Sequence, residues 1–137
     1  MKKEDKELLN YLSAILPHKV YVKVPEHISI NPLRVYSIQQ VYKSNFNLKR
    51  NTWVCCFWNG TFAKIDEVKP YLRSMSSITY EEKVEYLNIC GNEMENPLAS
   101  PRYSGIDYLN SIHVDYRVLI PKGLAIEVTE NNNPYKD

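Results

Sequence analysis

The segment HVDYR at residues 113–117 contains the side chains best suited to acid–base chemistry. In an extended segment alternate residues share one face, so His113, Asp115 and Arg117 would lie side by side. A histidine beside a carboxylate could then act as a general base with its orienting partner. The pair would also need a nucleophile or a metal ion, and the sequence indicates neither. A helix cap at Asp115 and a helix C-terminal position for His113 explain both residues without catalysis, so we expect a protein that is not an enzyme.

A second group of residues combines aromatic rings with positive charge. It occupies two neighbouring segments, NLKRNTW at 47–53 and CFWNGTFAK at 56–64. Surfaces that bind single-stranded nucleic acid have this composition, because rings stack on bases while cations attract phosphates. The candidate residues for binding a nucleic acid or a nucleotide are Lys49, Arg50, Trp53, Phe62 and Lys64. The alternative is that the aromatic rings form core beneath an N-terminal helix.

The same region predicts a β-hairpin. Asn59-Gly60 favours a two-residue type I′ turn, because both positions of that turn require positive φ. This turn would pair Cys56 with Ala63. The predicted core face is Val54, Cys56, Trp58, Ala63 and Ile65, and the opposite face is Trp53, Cys55, Phe57, Phe62 and Lys64.

The adjacent cysteines of this hairpin predict neither a metal site nor a disulfide. Successive side chains of a strand point to opposite faces, so Cys55 and Cys56 cannot readily share one ion. The histidines at 18, 27 and 113 add no ligand at short spacing. Cys90 makes the number of cysteines odd, and we expect reduced structural thiols and no cofactor.

Tyrosine is unusually frequent, with eleven residues. A tyrosine side chain offers a large contact area with a polar end, which favours protein interfaces. Tyr103, Tyr108 and Tyr116 lie near one another in the acidic half of the chain and are the predicted protein-facing residues. Tyrosine is also a common strand residue, and this explanation competes with the first.

Size and composition predict one globular domain. The chain has 137 residues, of which 44% are hydrophobic and 24% are charged, so a packed core is expected. No apolar run approaches the ~20 residues that span a bilayer, and the charged N-terminus does not resemble a signal peptide. We therefore expect a cytoplasmic protein without a membrane partner.

Charge is distributed unevenly along the chain, although the formal net charge is only +1. Residues 18–75 contain nine basic and three acidic side chains, whereas residues 76–137 contain five basic and ten acidic ones. Such a distribution can produce an anion-binding face. It can also produce two halves that attract each other within one domain, which is the interpretation we favour.

Apolar periodicity predicts the elements that position these groups. A helix is expected over 3–16, and strands are expected over 20–24 and 34–43 before the hairpin. The predicted fold is a single α+β domain over residues 1–130. It comprises an N-terminal helix, a small curved antiparallel sheet that resembles an SH3-like or OB-like barrel, and a helical C-terminal half.

The C-terminal half is expected to begin with a capped helix. Thr79 and Glu82 form a capping box, and the apolar stripe of the helix is Tyr80, Val84 and Leu87. After a loop at 92–105 we expect a helix to about His113, a turn capped by Asp115, and a strand at 124–128 that follows Gly123. The tail at 131–137 is expected to fray.

Two segments, DEVKPYLRSMSSITYEE at 66–82 and YLNSIHVDYRVLIPKGLAIEV at 108–128, carry a resemblance. They resemble uncharacterised small proteins from phages and prophages of Bacteroides-type gut anaerobes. Those proteins typically have Lys-Pro-x-Leu-Arg-Pro-Leu/Met-Ser in the first segment and His-x-Asp-x-x-Gly-Leu-Ile-Glu-Lys-Gly-Leu-Ala in the second. Here Ser74 replaces a proline, Val118 a glycine and Pro121 a glutamate. The resemblance implies a phage-related origin and no particular activity.

These observations predict a non-enzymatic accessory protein of phage or prophage origin that binds a macromolecular partner, namely a host or phage protein. The alternative is binding of single-stranded nucleic acid or a small nucleotide through the basic aromatic hairpin, which would suit a sponge against host defence signalling. The two functions differ in salt dependence, because nucleic-acid binding weakens steeply as salt is added.

Overall fold

A computed structural model describes residues 2–41, 51–90 and 103–136 of the chain. The α-helices in these ranges are α1 Lys3–Ile15, α2 Tyr80–Cys90 and α3 Tyr103–Ser111. The strands are β1 Tyr21–Lys23, β2 Leu33–Gln40, β3 Trp53–Phe57, β4 Phe62–Lys64, β5 Lys69–Leu72 and β6 Ile126–Glu127. Single turns of 3-10 helix lie at Ile65–Glu67 and Met75–Ser77. The predicted α+β class is therefore confirmed. Within the described ranges, no helix has the length and apolar character needed to cross a membrane.

The strands form one open sheet in the order β4-β3-β2-β1-β5-β6. Neighbouring strands from β4 to β5 are antiparallel, whereas β5 and β6 pair in parallel. The chain thus runs as a meander from β1 to β4 and then returns, so that β5 lies beside β1. The register of β2 against β3 shifts between Val35 and Ser37, which makes Tyr36 the extra residue of a β-bulge.

Helix α1 covers one face of this sheet. It matches the predicted helix to within one residue at its C-terminal end, and its buried residues are Leu8, Tyr11, Leu12 and Ile15. They pack against alternate strand residues, which include Val22, Val35, Cys55, Phe57, Ala63 and Leu72. We call this side of the sheet the inner face and the opposite side the outer face.

The β3–β4 hairpin is present, but its predicted register is wrong by one residue. Cys56 pairs with Phe62 instead of Ala63, because the turn contains three residues rather than two. Gly60 has a φ of 86°, whereas Asn59 keeps a negative φ. This is the geometry of a type I turn followed by one left-handed residue, and it cannot be the predicted type I′ turn.

The one-residue shift changes which hairpin residues reach the core. Cys55 and Ala63 pair with each other and are both buried in the core on the inner face. Cys56 lies on the outer face and is only half-buried. The prediction that Cys56 and Trp58 belong to the core face is therefore wrong, since a shift of one position exchanges the faces of a strand.

Helix α2 begins at the predicted capping box. The N–H of Thr79 donates to the carboxylate of Glu82 at 2.9 Å, and the N–H of Glu82 donates to the hydroxyl of Thr79 at 3.2 Å. The carboxylate also accepts two hydrogen bonds of 2.7 Å from the guanidinium of Arg73. Glu82 is thereby held towards the end of β5.

The apolar stripe predicted for α2 does not face the core. Tyr80 is 78% exposed and Val84 is 37% exposed, whereas the buried residues of the helix are Tyr86 and Cys90. Residues spaced by four lie on one side of a helix. Glu82, Tyr86 and Cys90 therefore share one side of α2. The hydrogen bonds from Arg73 hold Glu82 against the rest of the protein, so Tyr86 and Cys90 point inward as well.

Within the described ranges, the α-helices of the C-terminal half are α2 and α3, and α3 ends at Ser111, two residues before the predicted end at about His113. The predicted turn capped by Asp115 is confirmed. Its carboxylate accepts hydrogen bonds from the N–H groups of Leu119 at 2.7 Å and Ile120 at 2.8 Å. Gly123, with a φ of 76°, then leads into the short strand β6.

One side chain anchors the segment that follows β6. The hydroxyl of Tyr135 accepts from the N–H of Tyr21 at 3.1 Å and donates to the carbonyl of Tyr71 at 2.9 Å. It thus bridges β1 and β5, and its ring stacks on the His113 ring at 3.8 Å between centroids. The region for which fraying was predicted therefore contains an anchored tyrosine, while Asp137 lies outside the described residues.

Candidate functional site

The outer face of the sheet carries a continuous strip of aromatic and cationic side chains. Buried residues alternate with them in β1 and at the start of β2, so the intervening side chains point away from the core. The strands bring them together, because Tyr21 lies opposite Arg34 and Lys23 lies opposite Lys69. We call the following residues the outer strip: Trp58, Tyr36, Arg34, Tyr21, Lys23 and Lys69.

An aromatic cluster forms one end of the outer strip. Trp58 is 60% exposed and Tyr36 is 57% exposed, and their rings meet edge to face with centroids 4.7 Å apart. The guanidinium carbon of Arg34 lies 5.2 Å from the centroid of the Trp58 ring. The N–H of Trp58 also donates to the carbonyl of Arg34 at 3.3 Å. These contacts hold the rings in place while leaving much of their surface accessible to a ligand.

The loop between β1 and β2 borders this cluster. The amide of Asn59, next to Trp58, donates to the hydroxyl of Ser29 at 3.0 Å. Asn31 holds the base of the loop, since its side chain is hydrogen-bonded to both the N–H and the carbonyl of Val24 at 2.7 and 2.8 Å. Ile30, between Ser29 and Asn31, is 89% exposed. An exposed apolar side chain therefore lies at the border of the aromatic cluster.

A shallow groove of about 220 Å³ lies at the other end of the outer strip. Lys23, Val24, Pro25, Glu67, Lys69 and Ile126 line it. Two like charges directly opposite each other on neighbouring strands are unfavourable, yet Lys23 and Lys69 occupy such a pair. The carboxylate of Glu67 accepts a hydrogen bond from the N–H of Lys64 at 3.1 Å.

The strands from β1 to β5 contain basic residues and no carboxylate. The basic residues are Lys23, Arg34, Lys64 and Lys69. Within the described ranges, the acids that form ion pairs have other partners: Glu82 with Arg73, Glu7 with Lys122 and Asp107 with His18. Among the described residues, the cations of the outer face therefore form no ion pair with an acid, as the basic composition of residues 18–75 allows.

The predicted nucleic-acid-binding residues do not form one surface. Trp53 is half-buried and packs against the core on the inner face. Phe62 and Lys64 point to the outer face, because Ala63 between them is buried in the core. Lys49 and Arg50 lie outside the described residues. The structure thus brings Phe62 and Lys64 to the side of the outer strip and separates Trp53 from them.

The predicted tyrosine surface is only partly described. Tyr116 is half-buried, with its ring centroid 6.2 Å from that of Tyr11, and its buried hydroxyl has no hydrogen-bond partner among the described residues. Tyr108 is half-buried against the cluster of Tyr86, Cys90 and Leu109, and burial raises the pKa of its hydroxyl. Tyr103 begins α3, and its side chain lies outside the described part of the structure. Tyr108 and Tyr116 therefore contribute mainly to packing.

His113 and Asp115 are close in sequence but do not interact as a catalytic pair. The buried carboxylate of Asp115 is occupied by the N–H groups of the turn that it caps. The ring of His113 is hydrogen-bonded to the carbonyl of Lys19 and stacked on Tyr135. Burial, together with the neighbouring positive charges of His18 and Arg73, lowers the pKa of the His113 ring. Both side chains are thus engaged in structural contacts.

The three cysteines of the chain are free thiols. Burial raises the pKa of the Cys55 thiol to about 12, so this thiol is almost never ionised at neutral pH. Cys90 is buried between α2 and α3. In the part of the chain that the structure describes, no group of three histidine, cysteine or acidic side chains is placed to hold a metal ion.

Most of the outer strip was not identified from the sequence. Arg34, Tyr36 and Trp58 meet only because β2 pairs with β3 and the hairpin turn is three residues long. One signal in the sequence points to this face of β2. Apolar Leu33 and Val35 alternate with Arg34 and Tyr36, and in the structure the first two are buried and the other two are exposed. A second signal for a positively charged face is that the five segments that form β1 to β5 contain no aspartate or glutamate.

Comparison with known proteins adds no relative to this description. No protein-family model, curated protein or solved structure matches the chain.

Proposed function

We propose that this protein is a non-enzymatic binding protein that recognises a macromolecular partner through the outer strip. The observation that carries the proposal is the exposed aromatic cluster of Trp58, Tyr36 and Arg34. Tryptophan, tyrosine and arginine are the residues that contribute most to binding energy at protein interfaces. The proposed site of action is the cytoplasm of a bacterial host cell.

The geometry of the cluster supports binding over a purely structural role. Trp58 and Tyr36 each leave more than half of their surface in water, so they contribute little buried apolar area to folding. Their mutual contacts nevertheless restrict both side chains before a partner arrives. A surface that is ordered in advance loses less entropy on binding.

The engagement of His113 and Asp115 in structural hydrogen bonds supports the non-enzymatic part of the proposal. A general base needs an accessible nitrogen near its substrate, whereas the ring of His113 is hydrogen-bonded to the carbonyl of Lys19 and stacked on Tyr135.

Two observations support a phage or prophage accessory protein of the kind that the sequence resembles. The two resembling segments contact each other, since the N–H of Arg73 donates to the carbonyl of His113 at 2.8 Å and the N–H of Asp115 to the carbonyl of Arg73 at 2.9 Å. Val118 has a φ of 61°, in the region that favours glycine, and glycine is the residue that the resembling proteins carry there.

An SH3-like curvature of the sheet belongs to the same proposal. The meander from β1 to β4 and the return of β5 to the side of β1 support it. The 3-10 turn at Ile65–Glu67 between β4 and β5 supports it further. Small barrels of this type commonly use their outer surface and loops to bind partners.

The proposal is tested by photo-cross-linking in cells. A benzophenone amino acid replaces Tyr36, and in a control it replaces Tyr80, which is more exposed than Tyr36 but lies on α2. We expect a discrete adduct from position 36 that is absent from position 80 and is lost when Trp58→Ala is added. Protease and nuclease digestion then determine the class of the partner. Equal adducts from both positions, or none from position 36, would contradict the proposed function.

A further inference from the structure

We infer that the partner taken by the outer strip is single-stranded nucleic acid, an inference that rests on the proposed function. The outer strip supplies the two groups that a flexible single strand requires. Exposed ring faces can stack on bases, and cations can neutralise phosphates.

The charge of the outer strip is the first argument. Lys23, Arg34 and Lys69 lie on the outer face, and none of them forms an ion pair with an acid of the described ranges. Lys23 and Lys69 also face each other across β1 and β5, an unfavourable arrangement that a bound phosphate would relieve. Lys64 adds a further positive charge on the same face.

The aromatic cluster is the second argument. Its exposed rings lie beside Arg34 at the end of the outer strip away from the lysine pair. A base that stacks on Trp58 or Tyr36 would therefore place its phosphates along Arg34 and towards the lysines. A duplex hides its base faces within the stack, so this arrangement favours a single strand over a double one.

The groove at the lysine end is the third argument. Its volume of about 220 Å³ and its apolar lining by Val24, Pro25 and Ile126 can accept part of one nucleotide. Its wall also contains the Glu67 carboxylate, which accepts a hydrogen bond from the N–H of Lys64, and Lys23 with Lys69 leave the groove lining with a net charge of +1. The outer strip crosses the three strand intervals from β3 to β5, which extend over about 14 Å at the usual spacing of ~4.8 Å. The binding site is therefore short, and it spans a few nucleotides.

A salt series with fluorescent oligonucleotides tests this inference. Fluorescence anisotropy measures the binding of the full chain to labelled 12-nucleotide DNA and RNA of mixed sequence. Each phosphate neutralised on a single strand contributes about −0.7 to the slope of log K against log salt. The three cations of the outer strip predict a slope of about −2, and Lys69→Gln should bring it about 0.7 closer to zero. The comparison of DNA with RNA shows whether a 2′-hydroxyl is required.

Matched variants separate stacking from general charge. Trp58→Ala should weaken binding on the order of tenfold, because one base loses its stacking partner. Tyr80→Ala and Lys83→Gln remove an exposed ring and an exposed cation from α2 and should change neither the affinity nor the slope. An unlabelled duplex of the same length should compete poorly.

The outcomes distinguish this inference from the proposed function. No binding to either oligonucleotide, or binding that Trp58→Ala and Lys69→Gln leave unchanged, would overturn the inference. If a protein is then cross-linked specifically from position 36, the outer strip remains an interface and the proposed function stands. If position 36 yields no specific adduct either, both fail.

Discussion

The guanidinium of Arg73 holds the carboxylate of Glu82 through two hydrogen bonds of 2.7 Å. It also donates to the carbonyl of Ser77 at 2.8 Å, so the connection between β5 and α2 closes around one side chain. The N–H and carbonyl of Arg73 are hydrogen-bonded to His113 and Asp115. A single arginine thus joins the end of the sheet, the start of α2 and the turn that follows α3.

Removing the charge of Glu82 should destabilise the fold at neutral pH. Glu82→Gln keeps a side chain that can still accept from the N–H of Thr79, but it loses the ionic hydrogen bonds to Arg73. We expect the free energy of unfolding to fall by about 1–3 kcal/mol at pH 7, as measured by urea denaturation. The control Glu85→Gln, exposed on the same helix, should change it very little.

The effect of Glu82→Gln should also depend on pH. The hydrogen bonds from Arg73 lower the pKa of the Glu82 carboxyl to about 2, from an ordinary value of 4.5. The unfolded state therefore binds the proton more readily, so this contribution to stability is complete above pH 4.5 and is lost as the pH falls towards 2. The difference between the parent protein and Glu82→Gln should shrink over that interval. A difference that stays constant from pH 7 to pH 2.5 would contradict the assigned role.

Protonation of His113 should destabilise the fold in a different pH interval. Its pKa is lowered in the folded protein, first by burial and then by the nearby charges of His18, Arg73 and Lys19. The contribution of the neutral ring is complete above the ordinary value of 6.5 and decreases as the pH falls below it. His113 has a φ of 60°, which asparagine tolerates, and the variant His113→Asn should show a smaller loss of stability between pH 7.5 and pH 5. His27→Asn, at an exposed histidine, should retain the parental pH dependence.

Glycine at position 118 should stabilise the protein. A β-branched residue with a φ of 61° is strained, and Val118 is 51% exposed, so little packing is lost on its removal. We expect Val118→Gly to raise the free energy of unfolding by about 1 kcal/mol. The same substitution at exposed Val84 of α2 should lower it by about 0.5 kcal/mol, the difference in helix propensity between valine and glycine. If both substitutions destabilise to the same extent, residue 118 is not strained.

The hydroxyl of Tyr135 should protect the amide of Tyr21 from hydrogen exchange. Tyr135→Phe keeps the ring on His113 but leaves the N–H of Tyr21 and the carbonyl of Tyr71 without this partner. We expect a loss of about 1–3 kcal/mol in stability and faster exchange at Tyr21. The control Tyr80→Phe, whose hydroxyl position is exposed, should leave both quantities unchanged. An unaltered exchange rate in Tyr135→Phe would show that the bridge between β1 and β5 is not formed.

Local sequence signals predicted where the helices and strands lie, but they did not predict which residues of these elements contact each other. The apolar spacing of Leu8, Leu12 and Ile15 identified α1, and Thr79 with Glu82 identified the start of α2, because each signal lies within one turn or one helix. The hairpin between β3 and β4 was also recognised. Its register was not, since Asn59-Gly60 suits a two-residue type I′ turn and equally the end of a three-residue turn in which Gly60 alone has a positive φ.

Long-range contacts account for the features that the sequence did not reveal. The rotation of α2 depends on Arg73, nine positions before Glu82, and no helical periodicity contains that information. The outer strip depends on the pairing of β1 with β2 and β5, so Lys23 and Lys69 are adjacent in space while far apart in the chain. The predicted set of Trp53, Phe62 and Lys64 was divided between two faces by the one-residue shift in the register of the hairpin.

The fluorescence emission of Trp58 tests most directly whether the outer strip binds single-stranded nucleic acid. Trp53→Phe removes the other tryptophan, which packs on the inner face, and leaves Trp58 on the outer strip as the only indole of the chain. Titration of this variant with an unlabelled 12-nucleotide single strand should give saturable quenching that weakens as salt is added. Unchanged Trp58 emission in a folded protein, at any salt concentration, would contradict the binding of single-stranded nucleic acid by the outer strip.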